Sequence, residues 1–550
     1  MGLTLALTAA APAAGGAQAA AAENGQATAA GSAQATVAEN AQATAPGSPQ
    51  STAENTAQVS PQSTATSAAP LAQRIDGILS RPPMDGVHWG VLLVDAETGG
   101  ILYERNAHLR FVPASNMKIP VTAAALDRLG PEFRYRTAFF ADPGALDPTD
   151  PTRLRGDLVL AATGDPSLGE PFHDSGEAAL RALTDSLLAT GLREVEGHLV
   201  VDGAAWDSTT VPSGWLVGNL DARYSATGNA LGIDAGELRI RVRGGAAPGE
   251  PAALDWSPVG TPDFVENQVR TGPRDAEADV RTSYLPESRR WVVEGTVPPG
   301  ETVTLLRAQR DPARQAAHAL YRILQERGIG IRGGVTKVWE PGVALVAGCA
   351  AGTVPRCPTA VELAGMDSPP LTEIVRAILE PSQNWMTEQL VRTLGREVGE
   401  EGSWEEGFHV IRDHLVETVG VDSLDVHLRD GSGLAGYNLL SPRALVQVLA
   451  HARTRPWAMA FYDAMAEPGK SGTTLAGRLT DLEGRVHAKT GTISHVSALS
   501  GYLVSDQGRP LLFAILSNAA NLPASQVRST IDEVVRAMAS GAQGPFPGES

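Results

Sequence analysis

The chain has 550 residues and a formal net charge of -18, with 43% of its residues hydrophobic. Its length allows roughly three or four domains' worth of chain and a large core, while the acidic balance excludes nucleic acid as an expected partner. Two cysteines, no HExxH and no tight grouping among 11 histidines leave no metal and no other cofactor to expect.

Residues 1–22 contain a short apolar run from Leu3 and an AQA site at Ala17–Ala19. They read as the back half of a secretory signal peptide without its basic n-region, or as an Ala-rich tail. The first reading is preferred because a tether-like stretch follows, and it places the mature protein outside the cytoplasm. Residues 23–72 are low-complexity, with no lysine or arginine before Arg74 and no aromatic before Trp89. They cannot bury enough apolar surface to offset their ordering entropy, so a disordered linker is expected. The repeats AENGQATAAG and AENAQATAPG lack the apolar face a solenoid needs.

From Leu71 the pattern becomes that of a folded protein. LAQRIDGILSR reads as an amphipathic helix, WGVLLVDAETGGILYERNA as two strands around a turn, and SNMKIPVTAAALDRLG as a buried helix. VHAKTGTI, SALSGYLVS and PLLFAILSN read as strands, and SQVRSTIDEVVRAMAS as a closing helix. Residues 73–140 and 363–540 are therefore expected to form one α+β domain, an antiparallel sheet flanked by terminal helices. Residues 141–362 are Val- and Arg-rich strands with Gly/Pro turns, expected as a large β-rich insertion of one or two small domains, the smaller nested at about 164–231. Residues 541–550 are expected to be a disordered tail. No window offers the roughly 20 apolar residues of a transmembrane helix. Cys349 and Cys357, with seven residues between them, are a disulfide candidate or two free thiols. GIGIRGG at Gly328 follows a helix instead of a strand, so no nucleotide site is expected.

Among 44 basic residues lysine occurs only at Lys118, Lys337, Lys470 and Lys489. Such a bias toward arginine makes each lysine informative, because lysine is a compact charge whose pKa moves on burial. Lys118 stands three residues after Ser115, on one helix face, where its amine can take the hydroxyl proton. A serine N-cap beside a surface lysine is the bland alternative. Lys489-Thr490-Gly491-Thr492 lies on a strand, where a cation, hydroxyls and a close-approach glycine can hold a carboxylate. A chance K-T-G is expected only ~0.03 times in a chain with four lysines. Ser382-Gln383-Asn384 sits where Pro381 breaks two helical segments, and alone would read as a helix cap. Lys337 and Lys470 have no such company and read as solvated side chains.

Ordered S-x-x-K, S-x-N and K-T-G is the constellation of penicillin-binding proteins and class A β-lactamases. Ser115 and Ser382 stand 267 residues apart, and Ser382 and Lys489 stand 107 apart. That long first gap is unlike a class A β-lactamase. With ATGDPSL, DGSGL, NLLSP and SGTTLAGRL, the chain from about 73 to 540 resembles the D-alanyl-D-alanine carboxypeptidase/endopeptidase family, the class C low-molecular-mass penicillin-binding proteins. The resemblance implies a β-lactamase/transpeptidase-like catalytic domain carrying the insertion, and a serine peptidase acting on peptidoglycan stem peptides that end in D-Ala-D-Ala. It implies Ser115 as nucleophile and Lys118 as base, with Ser382 and Lys489 passing the proton to the leaving amine and Asn384 holding the peptide. It also implies Lys489 and Thr490 binding the terminal carboxylate, an oxyanion hole from the backbone N–H groups of Ser115 and Thr492, and β-lactam antibiotics as covalent inhibitors of Ser115. After DGSGL the family commonly has Ser-Arg where this chain has Ala435-Gly436, which leaves side-chain selectivity open. A β-lactamase and a non-catalytic peptidoglycan-binding module of the same fold are the rival readings.

Overall fold

A computed structural model describes residues 71–259, 264–338 and 360–541. The signal-like stretch, residues 23–70 of the expected linker, residues 542–550 of the expected tail and the pair Cys349 and Cys357 lie outside the described residues, whereas Leu71, Ala72 and Gly541, expected as linker and tail, belong to helices.

The two ends of the described chain meet in one antiparallel sheet. Its strands are β1 (His88–Asp95), β2 (Ile101–Arg105), β3 (Val486–Ile493), β4 (Val496–Val504) and β5 (Pro510–Asn518), in the order β3-β4-β5-β1-β2. Trp89, Val91 and Leu93 point to one face, Leu92 and Val94 to the other. Both faces are covered, which is why PLLFAILSN is a continuous apolar run. The helices that position the site are α1 (Leu71–Leu79), α2 (Lys118–Arg128), α3 (Asn384–Glu397), α4 (Pro442–Arg453) and α5 (Ala524–Gly541). α1 and α5 close the first face, where Ile75, Leu79, Val527 and Ile531 share a core with Trp89 and Phe513. α2, α3 and α4 fill the second, with Ala123, Leu390 and Leu445 in one core with Leu92 and Leu516. No helix among the described residues is long and apolar enough to cross a membrane.

The helix Leu371–Leu379 ends two residues before Pro381, and α3 begins at Asn384. Between them Ser382 adopts φ +66°, a left-handed conformation unusual for serine, and the Gln383 side chain then accepts from Met386 N–H to cap α3.

The intervening region builds its own sheets. Val335–Val338, Leu199–Asp202, Leu158–Ala161, Arg136–Ala141 and Val361–Asp367 form a mixed five-stranded sheet in that order. The last two strands pair antiparallel, so this sheet starts before residue 141 and ends after residue 362. The stretch 164–231, expected as a nested unit, instead supplies the helix Gly176–Leu188 and a central strand of this sheet. The piece with its own core lies at 237–308, where two three-stranded sheets bury Leu238, Ile240, Val242, Val269, Trp291 and Val293. Short alternating strands carry no mark of which neighbours they join, and that choice is made by the shared core. Arg392 of α3 fastens the insertion to the helices. It is buried between the rings of Trp206 and Trp404 and donates to Asp207 Oδ1 at 2.6 Å.

Candidate active site

Ser115 lies in a 3₁₀ turn, Ala114–Met117, that runs directly into α2 with Lys118 as its first residue. From Pro113 to Leu126 every residue is buried except Ser115, which is half-buried. A core helix thus surfaces only at its serine. Ala114 holds φ +46°, a strained conformation for a side chain that branches from Cα. Two glycines keep it there. A Cβ on Gly433 would lie 1.8 Å from the Ala114 carbonyl oxygen, and one on Gly491 would lie 2.8 Å from the Pro113 oxygen. The serine turn is therefore clamped between the DGSGL loop and the K-T-G strand.

Lys118 Nζ is 3.0 Å from Ser115 Oγ, 2.7 Å from Asn384 Oδ1 and 2.7 Å from the Ser432 carbonyl oxygen. A neutral amine has two N–H groups for the amide and carbonyl acceptors, which leaves its lone pair for the serine proton. Burial pushes the Lys118 pKa down to about 7, against the opposing pull of Asp430 and Glu388. Its place at a helix N-terminus, where the dipole disfavours a cation, acts in the same direction. The base needed near neutrality is present in the geometry.

Lys489 is also fully buried, on the edge strand β3, and donates to the Thr490 carbonyl at 3.1 Å. Burial, then the neighbouring Lys118, holds its pKa well below the usual lysine range. Asn116 Nδ2 donates to the Lys489 carbonyl at 2.8 Å, tying the serine turn to β3. Thr490 Oγ1 is 2.8 Å from Thr474 Oγ1, in the SGTTLAGRL phrase, and Thr492 is exposed. The structure thus places Ser115, Lys118 and Asn384 in direct contact and Lys489 to Thr492 alongside them. Ser382, half-buried at the kink, makes no hydrogen bond through its hydroxyl among the described residues. It lines, with Asn384, Tyr224 and Asp234, a cleft of about 620 Å³. Asn384 Nδ2 donates to the Tyr224 carbonyl at 2.9 Å, so the insertion also builds this wall.

Sequence reading missed the anionic floor. Asp430 accepts from Gly433 and Ala435 N–H, Asn438 Nδ2 and Trp215 Nε1, and so sets the shape of the DGSGL turn. Glu388 accepts from Gly431 and Ser432 N–H and from Trp404 Nε1. DGSGL was a visible signal, although its task was not. Lys337 and Lys470, read as solvated, each pair with a carboxylate, Asp311 at 3.3 Å and Glu380 at 2.5 Å. A tight histidine group also exists after all: Asp127, His414 and His451 meet with ligand atoms within 4.8 Å of one another. Residues so distant in sequence carry no spacing signature. Asp127 already accepts from Arg455 and Trp457 at 2.9 Å and lies 2.7 Å from His451 Nε2, so the Arg455 guanidinium supplies its counter-charge.

Comparison with known proteins agrees with this geometry. The family model for "D-Ala-D-Ala carboxypeptidase 3 (S13) family" matches residues 71–538. A D-alanyl-D-alanine carboxypeptidase of Actinomadura sp. is 32% identical over 474 residues, covering 82% of each chain. Carboxypeptidase DacB of Mycolicibacterium smegmatis is 26% identical over 461 residues, covering 82% of this chain and 80% of its own. The crystal structure of penicillin binding protein 4 from Haemophilus influenzae superposes with a TM-score of 0.70 at 22% identity, over 84% of this chain and 98% of that one. The chain belongs to the D-Ala-D-Ala carboxypeptidase 3 (S13) family of serine peptidases.

Proposed function

We propose that the chain hydrolyses the bond between the two terminal D-alanines of peptidoglycan stem peptides, and crosslinks of the same chemistry, through an acyl-enzyme on Ser115. Ser115 Oγ attacks the carbonyl carbon while its proton passes to Lys118 Nζ. The backbone N–H groups of Ser115 and Thr492 stabilise the oxyanion. As the C–N bond breaks, Ser382 and Lys489 deliver a proton to the departing D-alanine amine, and water then hydrolyses the ester. Asn384 orients Lys118 through Oδ1, and a substrate carbonyl replaces that of Tyr224 at Nδ2. Thr490 and Thr492 take the terminal carboxylate in the field of the buried Lys489, with Gly491 keeping strand and serine turn in contact. No cofactor enters these steps. The substrate lies outside the cytoplasm, and so does the enzyme.

The observation that carries this reading is the buried Lys118 between Ser115 and Asn384, poised near neutrality. Intact-protein mass spectrometry after incubation with benzylpenicillin tests it. A stable adduct of one antibiotic mass is expected on the wild type and none on Ser115→Ala. Consumed antibiotic without an adduct would make the protein a β-lactamase, and intact antibiotic without one a non-catalytic module.

A further inference from the structure

Glu388 lies one helical turn beyond Asn384 on α3 and is fully buried. Its Oε1 accepts from Ser432 N–H at 2.7 Å, and its Oε2 accepts from Gly431 N–H at 3.0 Å and Trp404 Nε1 at 2.8 Å. All three donors are neutral, so no cation pairs with this carboxylate directly. The residue it holds by the N–H, Ser432, is the one whose carbonyl meets Lys118 at 2.7 Å, while the N–H on the other side of that carbonyl, of Gly433, is held by Asp430. A buried carboxylate without a cation is expensive even with its hydrogen bonds made, and such a cost points to a step that uses its charge.

We infer that Glu388 is a positioning residue of the acylation step: it fixes Ser432, whose carbonyl meets Lys118, and with Asp430 supplies the negative charge that stabilises the proton Lys118 takes from Ser115. The charged groups facing this spot come from each packed element. Asp430 belongs to the same turn, holds the Gly433 N–H next to the Ser432 carbonyl together with three other donors, and adds its own charge to that of Glu388 at Lys118. Lys118 comes from α2 and Lys489 from β3, and each disfavours the charged form of the other. Arg392, one turn further along α3, is committed to Asp207, and the Trp404 ring stacks on it. Burial and Asp430 raise the Glu388 pKa to about 7, the same range to which burial lowers Lys118. With both oxygens occupied and no exposure, Glu388 does not activate the deacylating water.

This inference rests on the acyl-enzyme reading, and its test separates the two. Benzylpenicillin acylation rates are measured against pH for the wild type, Glu388→Gln and Glu388→Asp. Glu388→Gln is expected to acylate at least about tenfold more slowly. Its acid limb should also move about one pH unit lower, because losing a neighbouring carboxylate destabilises protonated Lys118. Glu388→Asp keeps the charge and should keep the limb in place, with an intermediate rate. An unchanged rate, or a uniform loss with an unmoved limb in Glu388→Gln, overturns the inference. A second readout needs no variant: with only four lysines, ¹³C-lysine NMR of the wild type resolves Lys118, which should titrate in two coupled steps. A single independent step overturns it. Failure of the acyl-enzyme reading itself shows separately, as a wild type that forms no adduct at any pH.

Discussion

α2 carries a buried charge at each end and treats the two in opposite ways. At its start Lys118 meets only neutral partners, Ser115, Asn384 and the Ser432 carbonyl, and burial drives it toward the uncharged amine. Near its end Asp127 is ringed by Arg455, Trp457 and His451. Burial, which would raise its pKa, is outweighed by these partners, and the carboxylate stays charged. A buried charge that is matched on the spot serves the fold, whereas one left unmatched stays ready to change its protonation state. One helix therefore holds a reactive end and a structural end.

Exchanging the character of either end should separate activity from stability. The largest effect is expected for Lys118→Arg, whose guanidinium cannot give up its proton: acylation by benzylpenicillin should fall about 10²- to 10⁴-fold. A wild-type acylation rate that does not fall as the pH drops through about 7 would contradict Lys118 as base. Asp127→Asn should do the reverse, costing about 1 kcal/mol in urea unfolding because Arg455, which water partly screens, loses its counter-charge, with the acylation rate of the folded fraction kept. A variant equally stable but inactive would erase the distinction between the two ends. His414, buried beside Asp127, has its pKa pushed down to about 4 by burial, below its ordinary 6.5. The unfolded chain then binds the extra proton, so the stability due to neutral His414 is complete above about pH 6.5 and is lost as the pH falls toward about 4. Urea midpoints measured across that window should slope downward, less steeply in His414→Gln. The smallest effect belongs to an exposed pair remote from α2, Arg81 with Glu533 of α5 at 2.6 Å. Arg81→Ala should change stability by under about 1 kcal/mol and leave acylation alone.

Ser115, Lys118, Asn384 and Lys489 could be found in the sequence because each motif is local: three or four consecutive residues on one turn, kink or strand. The two terminal segments of the sheet were equally legible, since buried strands and helices announce themselves by runs such as PLLFAILSN. Glu388 was not legible. In WMTEQLVRTLGRE a glutamate reads as the solvated face of a helix, yet every residue from Trp385 to Gly395 is buried, because the insertion covers the side that would otherwise face water. The nested β unit at 237–308 was missed for a related reason, since period-two patterning gives a strand's face but not its partner.

By itself the sequence determined the reaction chemistry, because a serine, two lysines and an amide in ordered short motifs are set by covalent neighbourhood. Tertiary structure alone decided how those groups are tuned. The pKa of Lys118 depends on burial, on the Ser432 carbonyl and on Asp430 and Glu388, which approach from chain segments more than 260 residues away. Coulomb and desolvation energies depend on distance through space and on the exclusion of water, and neither quantity exists until the chain has folded.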